Sequence, residues 1–198
     1  MRIVTLTTVA AIALAAAACN QSDSGNDLST DTNLTEDSAV NDVLGANQVT
    51  NGAAAMPTDS SGFANAVASS DMFEIESAKL AASKAGSAEI KSLAQMLRTD
   101  HEKSTTNLKA AAAKANPPVT VIPALDAEQQ GLLNALKATG GADFDRRFID
   151  QQTAAHQKAL GLLRNYVGAG DQQPLKDFAS KATTDVQGHF DRLNSIRQ

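Results

Sequence analysis

The stretch DMFEIESAKLAA (Asp71–Ala82) lies midway along the first long helical pattern and defines the inward face of that helix. Phe73, Ser77 and Ala81 recur in it at the spacing of one side of an α-helix, and Glu74 falls on the same side. A carboxylate among apolar side chains needs a partner, because an unpaired buried charge is costly. The candidate partners are the three histidines of the chain: His101, His156 and His189.

Four long amphipathic segments of this kind predict an antiparallel all-α bundle. The first helix starts after the N-cap candidates at 58–61 and runs to about Ala85; the second starts after Ser87 and ends before Asn116; the third runs from about Ala142 to Val167; the fourth starts near Pro174. A shorter helix follows Pro123 and Asp126 in the long connection between the second and third helices. An aromatic content of only 4% suits closely packed helices better than sheets.

The N-terminus predicts an exported protein. Residues 1–18 combine one Arg with an apolar run that ends in small residues, which is typical of a signal peptide. The only cysteine, Cys19, follows directly, and this arrangement resembles a bacterial lipoprotein signal in which that cysteine is lipidated. Ordinary signal cleavage after an Ala-x-Ala, leaving a free thiol, is the alternative. Because Asn20 rather than Asp follows Cys19, we expect a periplasmic protein anchored to a membrane, with the outer membrane favoured.

Residues 19–58 are predicted to be a disordered acidic linker, and residues 59–198 the folded domain. The linker is rich in Asn, Asp, Ser, Thr and Gly, and it has too few large apolar residues to offset its ordering entropy. It contains six acids and no Lys or Arg, so the chain from Asp59 onward carries sixteen acidic and sixteen basic residues. No basic face emerges from that balance, which argues against a nucleic-acid partner.

Each long helix places one ionisable residue near the middle of its apolar stripe: Glu74, His101, His156 and His189. Mid-helix positions of an antiparallel bundle lie at one level, so the spacing predicts a shared polar site in the core. Two interpretations remain open. The first is a mononuclear metal site, in which three imidazoles and one carboxylate suit Zn, Fe or Mn. The second is a metal-free Glu–His network that fixes the register of the core.

Two further acids flank the predicted site. Asp185 lies four residues before His189 and is a candidate extra ligand or supporting partner, whereas Asp100 lies beside His101, about 100° round the helix. The Glu-x-x-His pairs of di-iron bundles are absent from this chain, which argues against a dinuclear carboxylate site.

Several ordered motifs between residues 60 and 195 resemble domain-of-unknown-function family 4142, a group of bacterial envelope proteins. They are FEIESAKLA (73–81), MLRTDH (96–101), FDRRF (144–148), AHQKAL (155–160) and the late His189. The resemblance implies a ferritin-like four-helix bundle in an exported protein, and it implies no reaction. The positions that match the family's acidic and histidine motifs are Glu74, Asp100, His101, His156 and His189. Gln152 departs from the family pattern, in which an acid or a small residue is commoner.

These observations predict a lipid-anchored envelope protein that handles metal or defends against oxidative stress. The alternative is a non-enzymatic bundle that interacts with another envelope protein, and a redox enzyme using bound iron or manganese is the third hypothesis. No substrate or reaction follows from the sequence.

Overall fold

The computed structural model describes residues 55–197, which form an antiparallel, ferritin-like four-helix bundle with one short extra helix. The long helices are α1 (Ser60–Lys84), α2 (Ala88–Ala112), α4 (Gly141–Ala169) and α5 (Gln173–Arg197). The short helix α3 (Ala127–Lys137) lies in the connection from α2 to α4. Both the predicted fold class and the predicted extra helix are therefore confirmed.

Side-chain caps set the start of three helices. The Asp59 carboxylate accepts from the backbone N–H of Gly62 at α1, and the Ser87 hydroxyl accepts from Ile90 at α2. At α3, Asp126 and Gln129 form a reciprocal capping box. Each cap satisfies backbone N–H groups that the helix itself leaves without partners.

The four long helices form a ring in which α1 and α5 each pack against both α2 and α4. At one end of the ring Ala85, just after α1, pairs with Gly141 at the start of α4; at the other end Phe63 stacks on Tyr166. Neighbouring helices therefore run antiparallel all round the ring. Gly141 has a φ of +59°, a left-handed conformation that a glycine adopts without strain.

Two apolar clusters fill the ring, one towards each end. The first includes Phe63, Leu163 and Tyr166, and the second includes Phe144 and Phe148. Between them lies a layer of buried polar side chains: Asp71, Glu74, His101, His156 and His189. The packing of the two ends thus fixes the height and the register of this polar layer.

The observed bounds refine the predicted helices. Helix α4 ends at Ala169, two residues beyond the predicted Val167, and Gly170 is its C-cap. In its last turn Tyr166 is 0% exposed and takes the buried position, whereas Val167 is 37% exposed. Helix α2 ends at Ala112, before Asn116 as predicted, and Lys114 and Ala115 continue it only as turns that bond back to it.

The predicted signal peptide at 1–18, Cys19 and nearly all of the predicted linker at 19–58 lie outside the described residues. Among the helices of residues 55–197, none is both long enough and apolar enough to span a membrane.

Candidate metal centre

The polar layer brings together one ionisable side chain from each long helix. Glu74 comes from α1, His101 from α2, His156 from α4 and His189 from α5, and all four are buried. The centroids of the three imidazole rings are 5.4–5.5 Å apart in every pair. One nitrogen from each ring lies within 4.8 Å of the others. The structure therefore brings the four predicted residues into one layer, with the three imidazoles grouped around a common point and Glu74 in contact with His101.

His101 lies between two buried carboxylates of α1. Its Nδ1 donates to Oδ1 of Asp71 at 2.8 Å, and the hydroxyl of Thr105 donates to Oδ2 of Asp71 at 3.0 Å. Its Nε2 contacts Oε2 of Glu74, although neither atom makes a hydrogen bond of good geometry. Nδ1 of His101, the outer nitrogen, is thus fixed by a hydrogen bond. Nε2, the inner nitrogen, faces the centre of the layer together with Oε2 of Glu74.

His156 is held by its own helix. Its Nδ1 donates to the backbone carbonyl of Gln152 at 2.8 Å, which places the proton of the neutral ring on Nδ1. Nε2 then carries a lone pair, and it is buried without a hydrogen-bond partner. The nearer carboxylate oxygen, Oε1 of Glu74, lies 3.7 Å from Nδ1.

His189 shows the same division between an outer and an inner nitrogen. Its Nε2 lies 3.0 Å from Oδ2 of Asp100, and its Nδ1 is buried without a hydrogen-bond partner. All three histidines therefore have one nitrogen bound to an oxygen and one nitrogen turned inwards. Histidines that ligate a metal almost always have this arrangement, because the outer hydrogen bond fixes the tautomer and the ring orientation.

The charges of the layer stabilise one another despite their burial. Burial alone would raise the pKa of Glu74, but the charges of His101 and His156 outweigh it and lower the pKa to about 2. Burial alone would lower the pKa of His101, but the carboxylates of Glu74 and Asp71 raise it to about 10. Burial lowers the pKa of His156 and raises that of Asp71. The metal-free layer at neutral pH therefore holds an imidazolium at His101 and a neutral ring at His156.

These shifts predict that the metal-free protein loses stability as the pH rises from 6.5 towards 10. The folded protein keeps the proton of His101 up to about pH 10, whereas the unfolded chain releases it near 6.5. The stabilisation is thus fully present below pH 6.5 and is lost as the pH passes through the folded pKa. His156, with its lowered pKa, affects stability only below about 6.5. Urea unfolding followed by helical circular dichroism, with a chelator present, measures the profile.

A control for that profile is the double variant Glu74→Leu/His101→Leu, which lacks the coupled pair. Its stability is expected to stay nearly level between pH 6.5 and 10. A level profile in the unsubstituted protein would contradict the assignment of the imidazolium to His101.

The structure places the two flanking acids, Asp100 and Asp185, in different surroundings. Asp100, a neighbour of His101 in sequence, supports His189 of the adjacent helix. Asp185 is exposed on α5 and lines a groove that reaches His101 and His189. The polar layer also holds a second buried carboxylate, Asp71, which is 3% exposed and accepts from the outer nitrogen of His101. Asp71 lies three residues before Glu74, a spacing that puts both on one face of α1, so the sequence did carry its signal.

The three histidines fit a transition-metal ion as ligands. One nitrogen of each ring lies within 4.8 Å of the others, and Nε2 of His156 and Nδ1 of His189 have no hydrogen bond to lose. A buried polar atom without a partner normally costs about 1–3 kcal/mol, and a bound ion would satisfy several such atoms at once. The carboxylate of Glu74 lies beside this group, in contact with His101.

Comparison with known proteins identifies one family and one group of similar structures. The family described as Domain of unknown function (DUF4142) matches residues 45–196. Among curated protein sequences, none matches the chain.

Structures similar to this chain include those of CopM in several metal-bound forms. The Cu(II)-bound form aligns with a TM-score of 0.59 at 20% identity, covering 71% of this chain and 96% of CopM. The Cu(I)-bound form gives 0.57 at 21% identity, covering 70% and 94%. The Ag-bound form gives 0.57 at 20% identity, also covering 70% and 94%. At these identities the likeness concerns the bundle fold.

Proposed function

The chain belongs to the DUF4142 family, and we propose that its bundle binds one transition-metal ion in the polar layer as an envelope metal-handling protein. The ligands are Nε2 of His101, Nε2 of His156, Nδ1 of His189 and a carboxylate oxygen of Glu74. One observation carries the proposal: one nitrogen from each of three buried imidazoles, on three helices, lies within 4.8 Å of the others, and each ring has one nitrogen held by an oxygen.

The donor set favours Cu(II) or Zn(II). Three imidazoles and a carboxylate suit both ions, and divalent affinity rises along the series to Cu(II), ahead of the Fe and Mn also expected from the sequence. The four ligands include no sulfur, which Cu(I) would prefer. The likeness to CopM, whose structures hold Cu(II), Cu(I) and Ag, supports the inclusion of copper.

Hydrogen bonds to the other nitrogen of each ring would hold the three ligating histidines in place before the ion binds. Asp71 orients His101, Asp100 orients His189, and the carbonyl of Gln152 orients His156. Below pH 10 the ion has to displace the proton of His101, so binding releases a proton and strengthens as the pH rises. The apolar clusters close the layer towards the two ends of the bundle.

Titration of the purified protein with Cu(II) and with Zn(II) against a competing chelator tests the proposal. We expect one tightly bound ion per chain, as measured by elemental analysis after gel filtration. The variant Asp185→Ala, at an exposed position of α5, is the matched control and should keep that stoichiometry. Clearly less than one ion per chain for both metals would overturn the proposal.

Removing the partner of His189 is expected to weaken the site without removing a ligand. Asp100→Ala should lower the affinity for the ion by about 10–100-fold, the usual effect of losing an outer hydrogen bond to a ligating histidine. The Asp100 side chain is 43% exposed, so the fold should tolerate the change. The Cu(II) absorption or electron paramagnetic resonance spectrum should shift, because the ring of His189 is less restrained. An unchanged affinity and spectrum would argue against His189 as a ligand.

The second candidate function is a metal-free core network that serves an interaction or structural bundle in the envelope. One observation favours it: Asp71, His101 and Glu74 form a buried chain of alternating charge that needs no ion. In that case the layer would specify the register of the bundle rather than a ligand.

We also propose that a lipid on Cys19 anchors the protein to a membrane facing the periplasm, the outer membrane in preference. The signal-like residues 1–18 and the position of the only cysteine support this. Cys19→Ser is expected to move the protein from the membrane fraction to the soluble periplasmic fraction after cell fractionation. An unaltered distribution would show that something other than this cysteine holds the protein.

A further inference from the structure

A long groove between α2 and α5 leads from the outside of the bundle to the polar layer. Its volume is about 740 Å³, and it reaches from Lys114 and Pro174 near one end of the bundle to His101 and His189. These are the two candidate ligands that α2 and α5 contribute. The groove therefore meets the site at the seam between two of its four helices.

The other faces of the layer are more tightly closed. Glu74 of α1 and His156 of α4 are both 0% exposed, whereas His101 is 3% and His189 is 7% exposed. The apolar clusters close the layer towards the two ends of the bundle. A second cavity beside Asp71 and His101 measures only about 20 Å³, room for about one water molecule.

We propose that the ion reaches and leaves the three-histidine site through the groove between α2 and α5. This inference rests on the proposed function, and it adds the path of exchange and the side from which the ion approaches. The groove volume of about 740 Å³ is many times the roughly 10–15 Å³ that holds one water molecule, so a hydrated ion fits in it. The ion can thus keep its water shell until it meets His101 and His189 and exchanges water for imidazole there.

Charges on the walls of the groove balance. Three acidic side chains and three lysines line it: Asp100, Asp177 and Asp185, and Lys103, Lys114 and Lys181. A formally neutral wall gives little electrostatic steering, so the rate of metal uptake should depend only weakly on ionic strength.

Gly188 offers a way to obstruct the groove without touching a ligand. It lies on α5, lines the groove and directly precedes His189. A Cβ added there meets no atom within 4 Å, and the position is exposed. Replacing a glycine inside a helix also favours helix formation. Gly188→Phe therefore puts a large ring at the groove wall with little cost to the fold.

The matched control is Gly131→Phe. Gly131 is also an exposed helical glycine with open space around its Cβ, but it lies on α3 and does not line the groove. A polar variant, Gly188→Gln, guards against loss of solubility. Uptake of Cu(II) or Zn(II) is followed by stopped flow, and release is followed after addition of excess chelator.

We expect uptake and release both to slow by about tenfold or more in Gly188→Phe, the size of change that altered access gives. The dissociation constant should be unchanged, because an obstructed path slows both directions equally. Gly131→Phe should match the unsubstituted protein, and uptake should change little between low and high salt. Unchanged rates in folded, metal-loaded Gly188→Phe and Gly188→Gln overturn the path alone. Failure of the unsubstituted protein to take up an ion overturns the proposed function and the path with it.

Discussion

Glu74→Leu alone is expected to destabilise the metal-free protein by about 3–5 kcal/mol, the usual cost of removing one partner of a buried ion pair. Glu74 is 0% exposed, and its carboxylate contacts the imidazole of His101. Without it, His101 keeps one buried carboxylate, Asp71, and its Nε2 faces an apolar side chain. The free energy of unfolding, measured by urea titration with a chelator present, should fall accordingly.

The double variant Glu74→Leu/His101→Leu is expected to recover most of that loss. Replacing both charges by apolar side chains of similar volume is often neutral or stabilising, because it removes the desolvation cost of the pair. Asp71 keeps its bond from Thr105 and its raised pKa lets it become neutral. Equal destabilisation in the single and the double variant would mean that packing, and not charge, gives Glu74 its effect.

The fold could be predicted because its determinants are local. Helical periodicity located Glu74 and the three histidines on inward faces, and Ser87 and Asp126 marked helix starts that the structure confirms. The common height of the four residues also followed, since antiparallel helices of similar length align their midpoints. Periodicity alone does not decide between the neighbours Tyr166 and Val167 in the last turn of α4, and the structure buries Tyr166.

The partners of the histidines could not be predicted to the same degree, because they depend on contacts between helices. Asp100 is adjacent to His101 in sequence, yet it bonds His189, which is 89 residues away. Which nitrogen of each ring faces inwards depends on side-chain rotamers, and these depend on neighbours such as Asp71 and the carbonyl of Gln152. The burial of Asp71 is predictable from the sequence, because it lies three residues before Glu74 and therefore on the same face of α1.

The two candidate functions use His156 differently, because it is a ligand in the metal site but lies outside the network of Asp71, His101 and Glu74. The variant His156→Leu therefore distinguishes them. His156 is 0% exposed, and its hydrogen bond goes to the backbone of its own helix rather than to Asp71 or Asp100. Its ring is neutral in the metal-free layer because burial lowers its pKa. Leucine has a similar size, so the free energy of unfolding should change by less than about 1.5 kcal/mol.

Binding of the ion, by contrast, should fall steeply in His156→Leu. If about 10–16 kcal/mol of binding free energy is shared by four ligands, losing one costs roughly 3 kcal/mol, which is a hundredfold or more in affinity. Competition titration with Cu(II) or Zn(II) measures this change beside the unfolding experiment on the same sample. A folded variant with lost affinity supports a metal-handling layer. Unchanged affinity would remove His156 from the ligand set, and a large loss of stability without metal would mean that its ring also belongs to the metal-free network.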